Sequence, residues 1–307
     1  TVATIGAGAF KLSDPLNRVV IPPSVVRIGA EAFASSSITS LIVPDTVTDI
    51  GAGAFMYSSV TNLVLPAGMK SIGYRLCFGC QQLLSMNIPA GVTNIEEEAF
   101  VSTYNLREVV LPPGLLRIGA RAFSAAGMAS LVIPDTIAEI PESAFEYCQT
   151  LGEVTFGAGV TNIGAGAFYG DRALEVVRFN TNLVSIAANA FNDCQNIREL
   201  FFPASLTYLG ADAFYNVQYP WVLFLGNAPA YDGRPFNSLS YGIYKRTGTT
   251  GWSDTFSNVS VTDYDSKFLF ETNADGTLTL VGLNGLYTPF LQIPSQELGR
   301  RITGIGP

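Results

Sequence analysis

The sequence has no histidine, and only four cysteines and two tryptophans among its 307 residues. Histidine is a common general base and metal ligand, so its absence excludes the usual histidine-based catalytic triads and zinc sites. Charged residues are also sparse, at 14%, and the formal net charge is −8. Because a nucleic-acid partner requires a clustered positive surface, we expect no such partner.

Long apolar runs are missing as well. The longest stretches, such as residues 221–225, are far below the ~18 residues that span a bilayer. No basic-then-apolar signal segment opens the chain, and we expect no transmembrane segment in it. Apolar residues nevertheless make up 48% of the sequence, which is ample material for a core.

An internal repeat runs through most of the chain. The hexapeptide IGAGAF occurs at residues 5–10, 50–55 and 163–168. Its last position recurs every 22 or 23 residues, at Phe10, Phe33, Phe55, Cys77, Phe100, Phe123, Phe145, Phe168, Phe191 and Phe214. An aliphatic residue stands five positions earlier, and in most repeats a proline stands six positions before that. These two spacings are constant, and all length variation falls after the aromatic position.

Stacked coils explain this asymmetry. Residues 106–111 are rich in β-branched side chains and end at a proline, which is typical of a strand. One coil cannot bury its own inward side chains, so coils must stack, with each strand pairing with the next at about 4.8 Å. Stacking requires a constant register on the strand side, whereas the opposite side can lose a residue. We therefore predict ten parallel coils in residues 1–226, with the aromatic positions inside.

The pattern L-x-x-V-x-I-P-x-x-V-x-x-I-G-x-x-A-F resembles the BspA-like class of bacterial surface leucine-rich repeats. The resemblance covers Val2 to about Leu225, and the sequence departs from it at Cys77 and at Glu96, Glu97 and Glu98. It implies a leucine-rich-repeat solenoid of ten stacked 22–23 residue coils with a parallel β-sheet on the concave face. It also implies an extracellular or cell-surface interaction protein.

The repeat decides how IGAGAF is interpreted. Gly164, Gly166 and Gly170 could form a glycine-rich phosphate loop, but such a loop is needed once and is followed by a helix and an acidic residue. Here the motif occupies equivalent places in several coils, and other coils do not keep both glycines. We expect the small residues to allow a tight turn while the alanine and phenylalanine point inward.

The cysteines have a similar explanation. Cys77 and Cys80 form a C-x-x-C motif, which can indicate redox chemistry, half a zinc site or a disulfide. Cys80, Cys148 and Cys194 all stand three residues after the aromatic position of their coil, which is a repeat position. Small inward-facing slots account for them, with a Cys77–Cys80 disulfide as the alternative. We predict no catalytic, cofactor-binding or metal-binding residues.

Two segments have features of cation sites. Glu96, Glu97 and Glu98 are consecutive carboxylates, which are usually solvated. Residues 273–277 (NADGT) have a calcium-loop character, but the flanking segments alternate, so a hairpin with its turn at Asp275 and Gly276 is the better interpretation.

A binding surface is expected on the outward positions of the strands. The column nearest the proline is assigned as Val20, Ile42, Val64, Asn87, Val110, Val132, Thr155, Arg178, Phe201 and Phe224. The two neighbouring columns contain Arg18, Arg107, Glu108, Glu153, Glu175, Arg198, Glu199 and Trp221. The alternative is a purely structural role, in which the exposed β-branched residues are present because they favour strand formation. The functional interpretation is a protein- or glycan-binding groove formed by Arg107, Glu108, Val110, Glu175, Arg178, Arg198, Phe201, Trp221 and Phe224.

Beyond residue 226 the repeat register is expected to stop. We assign residues 227–267 to a cap or connecting segment, and residues 268–307 to a β-hairpin and the beginning of a second repeat array. Both ends carry a V-x-x-I-G-like element, which suggests a piece of a longer tandem protein or copies that abut head to tail. Head-to-tail contact would use Val2, Ile5, Phe268, Phe290, Ile293, Ile302 and Ile305.

Three classes of function compete. The first is a non-enzymatic extracellular or cell-surface interaction or adhesion module that binds a protein or glycan through the concave face. The second is a structural subunit that self-associates head to tail into a filament or surface assembly. The third, an enzyme, lacks an evident nucleophile and base, although Glu108, Glu153, Glu175 and Glu199 share one surface. We predict that the protein is not an enzyme.

Overall fold

The computed structural model of the protein describes residues 2–218, 220–237, 239, 242–265, 268–273, 278–283, 296–297 and 300–305. Most of these residues form a parallel β-solenoid, and the described residues contain no α-helix. Each coil consists of a longer strand, a two-residue strand and a turn that carries the aromatic position. We number the coils by that position, so that coil 1 contains Phe10, coil 6 contains Phe123 and coil 10 contains Phe214.

The two-residue strands pair in parallel with the equivalent residues of the next coil, as in Thr4↔Arg27 and Ile5↔Ile28. Numbered in chain order with all other strands, they are β1 (Thr4–Ile5), β2 (Arg27–Ile28), β4 (Asp49–Ile50), β6 (Ser71–Ile72), β8 (Asn94–Ile95), β10 (Arg117–Ile118), β12 (Glu139–Ile140), β14 (Asn162–Ile163), β16 (Ser185–Ile186), β18 (Tyr208–Leu209) and β20 (Ala230–Tyr231). This short-strand ladder is interrupted between β4 and β6 and between β10 and β12.

The longer strands form the second ladder. They are β3 (Ser40–Ile42), β5 (Asn62–Val64), β7 (Ser85–Asn87), β9 (Glu108–Val110), β11 (Ser130–Ile133), β13 (Glu153–Phe156), β15 (Val176–Arg178), β17 (Glu199–Phe202), β19 (Trp221–Phe224), β21 (Ile243–Lys245) and β23 (Val259–Asp263), with β22 (Thr255–Phe256) antiparallel to β23. The ladder is interrupted between β9 and β11 and between β15 and β17. The parallel stack of coils predicted from the repeat is confirmed.

The interior is a ladder of stacked rings. Phe100 and Phe123 have ring centroids 5.1 Å apart, and the spacing is 5.5 Å from Phe123 to Phe145. Stacked rings continue through Phe168, Phe191 and Phe214, while Cys77 interrupts the ladder between Phe55 and Phe100. These side chains are almost fully buried, as predicted. Stacked aromatic pairs add stabilisation to the burial of their apolar area.

Two left-handed residues shape each turn. They stand two positions before and two positions after the aromatic, as in Arg121 (φ 56°) and Ala125 (φ 56°) around Phe123. The second glycine of IGAGAF occupies the first of these positions, as in Gly53 (φ 60°). Glycine adopts this conformation at no steric cost. The repeat therefore uses the glycine for its backbone conformation and not for a bound phosphate.

The stack continues past residue 226, where the register was expected to stop. Tyr208 and Leu209 pair with Ala230 and Tyr231, and the Phe214 ring stacks on Phe236 at 5.4 Å, which adds an eleventh coil. Tyr231 replaces the usual aliphatic residue and Leu225 replaces the proline, so the sequence pattern conceals this coil. The division into segments 1–226, 227–267 and 268–307 stays a prediction.

The remaining described residues form a separate four-stranded sheet. Its strands are β24 (Phe268–Thr272), β25 (Leu278–Leu283), β26 (Gln296–Glu297) and β27 (Arg300–Ile305), in the order β24-β25-β27-β26. β24 and β25 pair antiparallel, which confirms the strands of the predicted hairpin, whereas residues 274–277 of its turn lie outside the described residues. A search of the described residues for helices long and apolar enough to cross a membrane returned none.

Candidate interaction surface

The long strands present every second side chain to the outside, and we call this surface the strand face. In β3 the pattern is exposed Ser40, buried Leu41 and exposed Ile42, and β5 repeats it. Strands alternate their side chains between two faces, so the inward leucines join the core while the outward residues stack in columns. The predicted columns are therefore present over coils 2 to 9.

The first half of the strand face carries an exposed apolar column. Val20 is 76% exposed, Ile42 66%, Val110 74% and Val132 68%, with Val64 also exposed. The neighbouring outward residues are mostly small and uncharged, including Ser40, Asn62, Ser85 and Ser130, and Leu84 adds another exposed apolar side chain. Leu84 was not among the residues predicted from the sequence, although a leucine at an outward repeat position indicates such a surface.

A groove of about 500 Å³ lies beside this column. Val110, Leu111, Val132 and Ile133 line it together with Pro113, Pro134 and Asp135. It is located where β9 and β11 are unpaired. Of the residues selected from sequence, Val110 lines this groove, and Arg107 and Glu108 are exposed on the same strand face.

The second half of the strand face carries charges in pairs. Arg178 Nε lies 2.9 Å from Glu153 Oε1, and Arg198 Nη2 lies 2.8 Å from Glu175 Oε2. Exposed pairs of this kind add little stability, typically about 0.2–1 kcal/mol. Burial raises the pKa of Glu199, whose Oε2 atom has no hydrogen-bond partner.

The aromatic end of the proposed groove is not exposed. Phe224 was assigned to an outward column, but Phe201 pairs with Leu223 and Phe202 pairs with Phe224, so Phe224 points inward and stacks on Phe202 at 4.5 Å. Trp221 is outward but only 1% exposed, because Tyr244 and Tyr264 pack against it at 5.4 and 5.5 Å. Phe201 is half-buried. The expectation that Trp221 and Phe224 form an accessible surface was wrong.

The residues selected for self-association are only partly described. Val2 is 58% exposed, whereas Ile5 is 8% exposed because β1 turns it into the core. Phe268, Ile302 and Ile305 lie in β24 and β27, and Phe290 and Ile293 lie outside the described residues. Head-to-tail association therefore stays a prediction.

Two members of the acidic triplet, Glu96 and Glu98, have structural partners, and so do the cysteines. Glu96 Oε2 accepts a hydrogen bond from the Tyr74 backbone N–H at 2.9 Å, and Glu98 forms an ion pair with Arg75. All four cysteines are buried free thiols, as the core interpretation predicts. Cys148 Sγ donates to the Phe123 carbonyl oxygen at 3.2 Å, and burial raises the pKa of this thiol.

Asp171 is an interior feature that the sequence analysis missed. It occupies the position three residues after the aromatic, which holds Cys148 and Cys194 in the coils on either side. Its Oδ1 atom accepts the Cys148 backbone N–H at 2.7 Å, but its buried Oδ2 atom has no partner. Burial raises the pKa of this carboxyl well above its usual value. An aspartate at an inward repeat position was the signal that could have identified it.

Comparison with known proteins agrees with the geometry. The parallel coils, the inward ring ladder and the exposed strand face define a leucine-rich-repeat solenoid. In the sequence, the BspA-type leucine-rich repeat region matches residues 3–128 and 117–225, in six copies. The chain therefore belongs to the BspA-type leucine-rich repeat family, as predicted. A search of curated proteins returned no match.

Solved structures of bacterial proteins show a similar fold. A leucine-rich repeat protein from Bacteroides ovatus is 22% identical, covers 80% of this chain and 70% of its own, and has a TM-score of 0.64. A leucine-rich cell surface protein from Faecalibacterium prausnitzii is also 22% identical, over 78% of this chain and 84% of its own, with a TM-score of 0.41. The first of these likenesses supports the solenoid fold.

Proposed function

We propose that the protein is a non-enzymatic interaction module of the bacterial cell surface or extracellular space that binds a protein partner through its strand face. The observation that carries the proposal is the exposed apolar column of Val20, Ile42, Val64, Val110 and Val132. Exposed Asn87 stands between Val64 and Val110, so the apolar side chains form one run of three and one run of two. Scattered exposed apolar residues are normal on a soluble protein, whereas neighbouring ones are typical of an interaction site.

The chemistry of the neighbouring residues favours binding over catalysis. Glu153 and Glu175 form ion pairs with Arg178 and Arg198, so both carboxylates of this surface already have cationic partners. The resemblance to bacterial surface leucine-rich repeats supports the location. Burying one exposed valine in an interface contributes about 1.5–3 kcal/mol, so two adjacent valines can dominate the affinity.

The test is a binding screen with matched variants. Immobilised protein is exposed to a panel of purified extracellular matrix proteins, and each binder is then measured against Val110→Asp and Val132→Asp. The controls are Val26→Asp and Leu116→Asp, because these side chains are 47% and 58% exposed but stand outside the long strands. We expect at least a tenfold loss of affinity for the strand-face variants and little change for the controls. Equal effects of both sets would contradict the proposal.

A further inference from the structure

The junction between coils 6 and 7 lacks both strand ladders. β9 does not pair with β11, and β10 does not pair with β12. The junction between coils 3 and 4 loses only the short-strand ladder, and the junction between coils 9 and 10 loses only the long-strand ladder. Within the described solenoid, coils 6 and 7 are therefore the neighbours with the weakest backbone connection on the strand side.

Pro141 removes one hydrogen-bond donor from the short-strand side of this junction. In eight coils the backbone N–H four positions before the aromatic donates to a carbonyl oxygen of the preceding coil, as Gly119 does to Ile95 at 2.7 Å and Gly164 does to Ile140 at 2.8 Å. These donors are Gly29, Gly51, Glu96, Gly119, Gly164, Ala187, Gly210 and Asp232. Pro141 occupies this position in coil 7 and has no N–H, so it cannot donate to Ile118.

The turn side of the same junction is firmly held. Phe123 N–H donates to Ala144 at 2.8 Å, and Ala125 N–H donates to Glu146 at 2.7 Å. The Phe123 and Phe145 rings stack at 5.5 Å, and Arg121 Nη2 lies 3.0 Å from Glu146 Oε1.

Apolar side chains of both coils belong to one core, but the side-chain hydrogen bonds on the strand side come from one described residue of coil 7. Thr136 Oγ1 donates a hydrogen bond to the Pro113 carbonyl oxygen at 3.1 Å and also contacts the Leu115 carbonyl oxygen. The connection between the two coils is thus strong along one edge and weak along the other.

We propose that this junction is a hinge. The paired turn edge serves as the axis, and coils 1–6 and 7–11 rotate about it so that the unpaired strand edge opens and closes. Opening separates Val110 from Val132 and widens the groove between them, which changes the shape of the strand face. The hinge follows from the hydrogen-bond pattern alone, whereas any effect on partner binding rests on the proposed function.

Two pairs of nitroxide labels test the rotation by pulsed dipolar electron paramagnetic resonance. One pair, at Ser85 and Val176, spans the junction, and the control pair, at Arg18 and Glu108, does not. Both pairs occupy the same outward column and lie four coils apart, or about 19 Å at ~4.8 Å per coil. Labels are attached to introduced cysteines because the native thiols are buried, and labelled wild-type protein controls for background.

We expect a broader distance distribution for the spanning pair. Pro141→Ala restores an N–H opposite Ile118 and should narrow that distribution, while Thr136→Val removes the hydroxyl contact and should broaden it. Alanine fits the position, since Ala187 occupies it in coil 9. Circular dichroism confirms that each variant is folded. Equal widths for the two wild-type pairs, or no response to either substitution, would overturn the hinge.

Discussion

The closeness of the coils can be tested at two glycines that occupy the same position in the repeat. A Cβ atom added at Gly119 would lie 2.3 Å from the Glu97 backbone nitrogen and 2.5 Å from the Glu96 carbonyl carbon. At Gly73 the nearest atom would be the Ile50 carbonyl oxygen, at 3.8 Å. Gly73 lies at the junction where β4 and β6 are unpaired, so its coil stands farther from its neighbour. Neither glycine has a positive φ, so alanine suits both backbones.

The expected effects have opposite signs. Gly119→Ala forces the neighbouring backbone to move by about 1 Å to reach normal contact distance, and overpacking of this kind costs about 1–3 kcal/mol. Gly73→Ala meets no clash, and the loss of conformational freedom in the unfolded chain should stabilise the protein by about 0.4–1 kcal/mol. The two variants should therefore differ by about 1.4–4 kcal/mol in the free energy of unfolding.

Urea unfolding followed by circular dichroism measures this difference. Stacked repeats can unfold in steps, so the midpoint and the slope are compared for each variant, and only variants with the slope of the wild type are converted to free energies. Ala187 occupies the same repeat position as Gly119, so a methyl group can be accommodated there where the distance between the two coils allows it. Equal changes in the free energy of unfolding for the two substitutions would contradict the idea that the close approach of coils 5 and 6 requires glycine at position 119.

Three further outcomes are expected. Phe123→Ala should lower the free energy of unfolding by about 3–5 kcal/mol, and Phe10→Ala should cost less because Phe10 is half-buried at the end of the ring ladder; equal costs in chemical unfolding would contradict the ladder. Ala125→Gly should stabilise the protein, since Ala125 has a φ of 56° and a left-handed residue other than glycine costs about 1–2 kcal/mol; a lower thermal midpoint would refute this. Asp171 has a raised pKa in the folded state, so the folded protein retains a proton that the unfolded chain releases, and stability should fall as the pH rises above the unfolded value. The contribution of Asp171 to the free energy of unfolding is fully present at a pH below its pKa in the unfolded chain, and it is lost as the pH rises through its pKa in the folded protein. Asp171→Asn keeps an oxygen for the Cys148 N–H, so this variant should be more stable than the wild type at neutral pH. Urea titrations from pH 4 to 8 should show a smaller loss of stability with rising pH for the variant. An unchanged dependence of stability on pH would show that Asp171 does not cause that loss.

The repeat made much of the fold predictable because one constraint is applied many times. A constant spacing before the aromatic position requires equivalent residues to stack, and ring spacings of 5.1–5.5 Å from Phe100 to Phe168 follow from that stacking. The two glycines of IGAGAF were correctly attributed to the turn. The first glycine allows the close approach of the neighbouring coil, and the second adopts the left-handed conformation. These two roles depend on the distance between coils and on the backbone angles, which the sequence pattern does not give.

The accessible part of the strand face was harder to predict, because it depends on residues outside the repeat. The alignment shifted by one residue where Leu225 replaces the proline, which placed Phe224 in the column that belongs to Leu223. Trp221 holds an outward position, yet Tyr244 and Tyr264 cover it from a segment without the repeat signature.

The apolar column is a better candidate for a binding surface than the aromatic end, because its side chains are still exposed. An aromatic residue that the chain itself buries, such as Trp221, contributes to the free energy of folding, and its indole N–H remains unpaired even in that state. Val110 and Val132 are instead 74% and 68% exposed, so their burial is still available to a partner. They also line the groove at the one described junction where both strand ladders are absent. Two of the most exposed apolar side chains of the strand face thus lie where the solenoid is least constrained in shape. A partner that contacts both sides of this junction would couple its binding to the angle between the two halves.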